Sequence, residues 1–156
     1  MQPGSLLSRA EEVTRCMVEP LDEKIRDRFR KQRRRDTKPE VALRSALHRK
    51  GLRFRVDRAV LAGMRSRPDI VFGPSKVAVF VDGCFWHRCR EHGTTPKNNR
   101  EWWNQKLDAN VARDRRVDAQ LSDAGWQVLR FWEHEDPDHA AGITAKVVAK
   151  RRPDQK

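Results

Sequence analysis

No run of apolar residues in this chain approaches the roughly 20 that a helix needs to cross a bilayer, and the N-terminus lacks the apolar h-region of a secretory signal. A membrane span is therefore not expected, and the expected location is the cytoplasm. Cysteine is scarce: there are three in 156 residues, and Cys84 and Cys89 lie five positions apart among histidines. An odd count in that setting fits metal ligation in a reducing compartment better than a disulfide framework, and leaves Cys16 as a free thiol. Internal repeats and low-complexity linkers are missing too, so the length describes one domain with a core of its own. Acidic residues are outnumbered, 22 against 34 Lys and Arg, for a net charge of +12. A polyanionic partner is implied, nucleic acid first.

What is present falls into a readable order. Residues 1 to about 22 lack a sustained apolar period, and the basic run KIRDRFRKQRRR follows from Lys24 to Arg35, so a flexible basic extension is expected over 1–35. Arg33, Arg34 and Arg35 are its candidate phosphate contacts, which add affinity without base specificity; a solvated basic segment is the plainer alternative. Thr37-Lys38-Pro39-Glu40 predicts a helix start, with threonine as N-cap, proline in the first turn and glutamate completing a capping box. Leu43, Ala46 and Leu47 give that helix an apolar stripe, and Gly51 ends it. Leu52 to Val56 alternates as a one-faced strand. Ile70 to Phe72 and Val77 to Val81, split by Gly73, Pro74 and Ser75, predict two strands joined by a tight turn.

A long helix is expected from about Arg100 to Gly125, with Trp103, Leu107, Val111, Val117 and Leu121 on one face and Lys106, Arg113, Arg115 and Arg116 on the other. Trp126 to Trp132 reads as a buried strand. A last helix follows Asp136, with Ile143, Val147 and Val148 against the core. The expected fold is α/β: a single domain over 36–149 with a central mixed sheet flanked by helices, then a charged, frayed tail at 150–156.

The chemistry concentrates between Arg67 and His92, RPDIVFGPSKVAVFVDGCFWHRCREH. Asp69 leads one strand, Asp82 closes the next, and Glu40 lies on the preceding helix. Converging carboxylates of this kind suit magnesium, which takes hard oxygen ligands beside a phosphate. Glu40 has an equally good role as a helix cap. Cys84, Cys89 and His92, at spacings of five and three, can present three ligands of a tetrahedral structural zinc, with His134 as the fourth and His139 as its rival. His87 is a candidate general base or acid; zinc ligation is its alternative.

Arg67-Pro68-Asp69-Ile70-Val71, Val79-Phe80-Val81-Asp82-Gly83-Cys84-Phe85-Trp86-His87, Trp103, Asn110 to Arg116, Gly125-Trp126-Gln127-Val128-Leu129 and Trp132-Glu133 together closely resemble the very-short-patch-repair (Vsr) mismatch endonucleases. The resemblance covers roughly Thr37 to Glu133. It implies a restriction-endonuclease-like nuclease core of the PD-(D/E)xK type, with zinc, that nicks one strand at T:G mismatches left by 5-methylcytosine deamination, using magnesium. It further implies Asp69 and the backbone carbonyl of Val81 as magnesium ligands, His87 as the catalytic histidine and Glu40 as an acidic helper. Phe85, Trp86 and Trp103 match a wedge that enters the DNA stack, although core packing is an alternative for each. Asp82 stands where the best-known pattern has a second histidine, and is either a magnesium ligand or an orienting group. The zinc ligand types are permuted relative to that pattern, with Cys2His2 as the total. A double-stranded DNA substrate and MutL-type repair partners complete what the resemblance implies, and a monomer is expected. A restriction-type nuclease cutting intact duplex and a non-catalytic zinc-stabilised DNA-binding module are the other functions to weigh.

Overall fold

The computed structural model describes Lys31 and residues 35–152, so Arg33, Arg34 and most of the basic extension lie outside the described residues. The unit that begins at Asp36 carries every element below. In chain order these are α1 (Lys38–Arg49), β1 (Arg55–Val56), β2 (Ile70–Phe72), β3 (Val77–Asp82), α2 (Arg100–Asp123), β4 (Gln127–Trp132) and α3 (Pro137–Lys150). The strands form one four-stranded mixed sheet in the order β1-β2-β3-β4. β1, β2 and β3 pair antiparallel, and β3 and β4 parallel, with Val81 opposite Phe131 and Asp82 opposite Trp132. The parallel pair sends the chain out of β3 and of β4 at the same end of the sheet. β2 enters at that end too, with Asp69 just before it.

Alternation along β3 divides the core. Val77 and Val79 pack with Leu43, Ala46 and Leu47 of α1 and Ala140, Ala141 and Val148 of α3, whereas Ala78 and Phe80 meet Val117 and Leu121 of α2 on the opposite face. This is the period of two expected of a strand covered on both sides.

Four local expectations need correction. The capping box at α1 is displaced: the Thr37 side chain caps no backbone N–H, its hydroxyl donating instead to Glu40 Oε1 at 2.9 Å, and Glu40 Oε2 accepts from the backbone of Asp36 at 2.9 Å, one residue earlier than the pattern requires. β1 is only Arg55–Val56, because its partner β2 is itself three residues long; Leu52 and Phe54 still pack against the core outside the ladder. Ile143 is 36% exposed, since α3 turns Ala140, Thr144 and Val148 inward at four-residue intervals and leaves Ile143 on its flank. The chain after Lys150 is anchored rather than frayed at its start: Arg151 donates through Nε to Ser75 O at 3.0 Å and through Nη2 to Gly125 O at 2.7 Å.

Candidate active site and metal centre

Asp69 reaches across the sheet end, and its Oδ2 accepts from the Val81 backbone N–H at 2.7 Å. Within an extended strand, the N–H and C=O of one residue point to the same edge and alternate from residue to residue. The Val81 carbonyl therefore shares the Asp69 edge, while Asp82 O faces β4 and accepts from Glu133 N at 3.0 Å. Burial pushes the Asp69 carboxyl up to about 6 against the pull of the Val81 N–H, and the charges of Glu40 and Asp82 push the same way, with Arg44 opposing. Three carboxylates thus crowd one end of the sheet, and they repel one another in the absence of a cation.

Glu40 is 5% exposed. Besides its two contacts at the helix start, it accepts from Arg44 Nη2 at 3.1 Å, so it caps α1 and is paired within it. Asp82 is 8% exposed, and both of its oxygens accept from Arg130 Nη1, at 2.9 and 3.0 Å. Burial raises the Asp82 carboxyl, while His87 and Arg130 pull it down.

His87 projects from the loop after β3, which is held by turns from His87 N to Gly83 O at 3.1 Å and from Cys89 N to Cys84 O at 3.0 Å. Its Nδ1 is hydrogen-bonded to Asp114 of α2 and lies 3.8 Å from Asp82 Oδ1. Although burial pushes Asp114 up, the His87 hydrogen bond and charge, with Arg130 and Arg113, hold its carboxyl below the ordinary range. Asp114, Asp118 and Arg130 were not singled out from the sequence. Asp114 and Asp118 share one face of α2, four residues apart, and an arginine in the middle of a sheet strand needs acceptors; those were the available signals.

The same loop supplies Cys84, Cys89 and His92, and the turn after β4 supplies His134. Their ligand atoms all lie within 4.8 Å of one another, so they can hold a metal ion. Cys84 Sγ is 3.0 Å and Cys89 Sγ 3.9 Å from His134 Nδ1, and His92 Nδ1 is 4.0 Å from Cys89 Sγ. His87 lies outside this cluster, and His139 instead donates its backbone N–H to Asp136 at the start of α3. Burial pushes the Cys84 thiol up to about 11, with Cys89 and Glu133 adding to the shift. Gly93 closes the loop where only glycine fits, because a Cβ there would lie 2.3 Å from Cys89 O.

The aromatics form a stack beside this loop. Trp103 is 3% exposed and packs edge-on against Phe85 at 5.4 Å, with Trp86 tilted at 6.2 Å. Trp103 is thus a core residue in this conformation, and Phe85 and Trp86 stand half-buried against it. Arg35 is exposed, as are Lys106, Arg113, Arg115 and Arg116 along α2.

Residues 21–92 match the family described as DNA mismatch endonuclease Vsr. The chain is 50% identical over 118 residues to the type II nicking enzyme V.NaeI of Lentzea aerocolonigenes, covering 74% of this chain and 71% of that one. It is 45% identical over 111 residues to the type II nicking enzyme V.XorIIP of Xanthomonas oryzae pv. oryzae, covering 70% and 79%. It is also 42% identical over 100 residues to the DNA mismatch endonuclease Vsr of Escherichia coli, covering 64% and 62%.

Proposed function

The chain belongs to the Vsr family of DNA mismatch endonucleases, and on that premise we propose that it nicks one strand of duplex DNA at T:G mismatches arising from 5-methylcytosine deamination, so initiating very short patch repair. Asp69 carries the proposal. Its carboxylate accepts from the Val81 N–H at 2.7 Å and is pushed up to about 6 by burial and by neighbouring carboxylates. Magnesium takes oxygen ligands, one or two of them carboxylates. The Asp69 carboxylate and the Val81 carbonyl, on one sheet edge, fit that demand. When bound, magnesium would neutralise the phosphodiester and make water a better nucleophile.

The remaining roles belong to the protein. With Asp114 accepting from Nδ1–H, the Nε2 lone pair of His87 is left to take a proton from attacking water, and the protonated ring can return one to the leaving oxygen. Glu40, occupied by the helix cap and Arg44, is an acidic helper that acts through its charge on Asp69. Two thiolates and two imidazoles are the donor set of a structural zinc, with Cys84, Cys89, His92 and His134 as its ligands. Phe85 and Trp86, backed by Trp103, are assigned as the wedge. Unstacking a base step costs a few kcal/mol and less at a mismatch, so a wedge selects by deformability. Arg33, Arg34 and Arg35, with the basic face of α2, supply phosphate contacts. We further assign a monomer acting in the cytoplasm, with MutL-type repair proteins as partners.

The names of the relatives as nicking enzymes support cutting of one strand over two. Incubating the full chain with T:G and matched duplexes, with and without magnesium, tests the proposal: a single-strand nick confined to the T:G duplex with magnesium is expected. Cleavage of both strands of matched DNA would point to a restriction-type enzyme, and binding without cleavage to a non-catalytic module. Replacing Phe85 and Trp86 together by alanine is expected to lower the T:G preference by about tenfold, equivalent to about 1.4 kcal/mol, while the protein stays folded.

A further inference from the structure

Asp82 is a buried carboxylate to which the steps above give no task. Among the described residues, its side-chain hydrogen bonds come from Arg130, whose Nη1 donates to both of its oxygens. Arg130 lies in β4 opposite Phe80, with its guanidinium 4.3 Å above that ring. Its Nε donates to both oxygens of Asp118 at 3.0 Å, its Nη2 donates to Asp118 Oδ1 at 2.8 Å, and Nη2 lies 3.9 Å from Asp114 Oδ1. One planar cation therefore ties the end of β3 to two turns of α2. A half-buried guanidinium with matched acceptors is tolerable, whereas removing one partner leaves a partly desolvated charge unpaired.

A carboxylate serving a metal must turn a lone pair toward it. Arg130 Nη1 occupies one lone pair on each Asp82 oxygen and offsets the charge that would draw a cation, and the Asp82 backbone carbonyl faces β4, away from the edge shared by Asp69 and the Val81 carbonyl. We propose that Arg130 is a positioning residue that keeps Asp82 out of the shell of the catalytic cation and holds it, with Asp114, beside Nδ1 of His87. This rests on Asp69 being the magnesium ligand. Pairing with Arg130 cancels the charge that an aspartate brings to a position where the best-known family pattern has a histidine. Without Arg130, Asp82 becomes an unpaired carboxylate within electrostatic reach of Asp69, available to the cation.

The test uses manganese, which takes the same oxygen ligands as magnesium and is visible by electron paramagnetic resonance. It is titrated into the full-length, zinc-loaded chain. Asp82→Asn should bind Mn2+ within about threefold of the unsubstituted protein, because no ligand is lost. Arg130→Met should bind it about tenfold more tightly, and the gain should vanish in the Arg130→Met/Asp82→Asn double variant. In nicking, Arg130→Met should lose kcat with KM for DNA unchanged, and Arg130→Lys should recover part of the loss. A weakening of about tenfold or more in Asp82→Asn would make Asp82 a ligand and overturn the proposal. Unchanged Mn2+ affinity in a folded Arg130→Met variant would also overturn it. Should Arg130→Met not fold, Asp82→Asn decides alone. Asp69→Asn separates the two levels: if it leaves Mn2+ binding intact, the magnesium assignment itself fails.

Discussion

At the Cys84, Cys89, His92 and His134 cluster, the donor atoms already face one another within 4.8 Å. At the carboxylate cluster, Asp69, Glu40 and Asp82 each have at least one oxygen committed to a protein N–H. Both lie at the end of the sheet where β3 and β4 terminate, yet they are built in opposite ways. The sulfur and imidazole atoms converge on each other, so a cation there would complete a closed shell and join the loop after β3 to the turn after β4. The carboxylates are each steadied by a protein N–H, so their placement does not depend on a cation. A structural site closes on its metal; a working site keeps a position open.

The sharpest way to break this contrast is at Asp69. Asp69→Asn keeps an oxygen for the Val81 N–H but removes the anionic charge on which the proposed magnesium site depends. Nicking should fall by about a thousandfold or more, the scale of several kcal/mol of metal assistance, with DNA affinity changed little. Comparable nicking by a pure variant would remove Asp69 from the metal site. At the other cluster the loss should appear as stability. Metal analysis should find one zinc per chain, and Cys84→Ser should lower the melting temperature by about 10 °C. Active, stable protein free of zinc would erase the distinction between the two sites.

The smallest effect concerns pH. Asp69 has its folded value raised from 3.8 to about 6, so between these values the folded state binds more protons than the unfolded state. Stability therefore falls as pH rises through that window, and the penalty is complete above it. In magnesium-free buffer Asp69→Asn should be more stable than the unsubstituted chain above pH 6, by at most about 3 kcal/mol. Below pH 3.8 the advantage should vanish. Equal melting temperatures across the whole range would show that the carboxylates do not strain the empty site.

The elements were legible where local pattern and packing agree. The β-branched segments flanking Gly73 and Pro74 gave β2 and β3, and the apolar face of α2 gave its inward residues, Trp103, Leu107, Val117 and Leu121. Ile143 was misplaced because hydrophobicity alone does not say which flank of α3 meets the sheet. The Cys/His cluster was legible because three of its ligands sit on one short loop, and their spacing carries the geometry. The Arg130 network was not. Its members come from β3, β4, α2 and the loop before α2, and only the pairing of Asp82 with Trp132 in register brings them together. An arginine inside β4, which proves to be a half-buried edge strand rather than the buried strand expected, was the clue, and it pointed to a partner without saying which.

Cys84 and His134 are 50 residues apart, and the segment between them contains the whole of α2. A metal that joins them is therefore a clip on a long loop, and it can close only after the two parallel strands have found each other. Such non-local pairing is the slow part of folding, because the closure entropy precedes the contacts that reward it. Cys84, Cys89 and His92 emerge together during synthesis, so an ion captured early would wait in a three-ligand site until His134 arrives. Full metal occupancy then becomes a readout of completed topology, and refolding with and without zinc present should differ in rate as well as in end point.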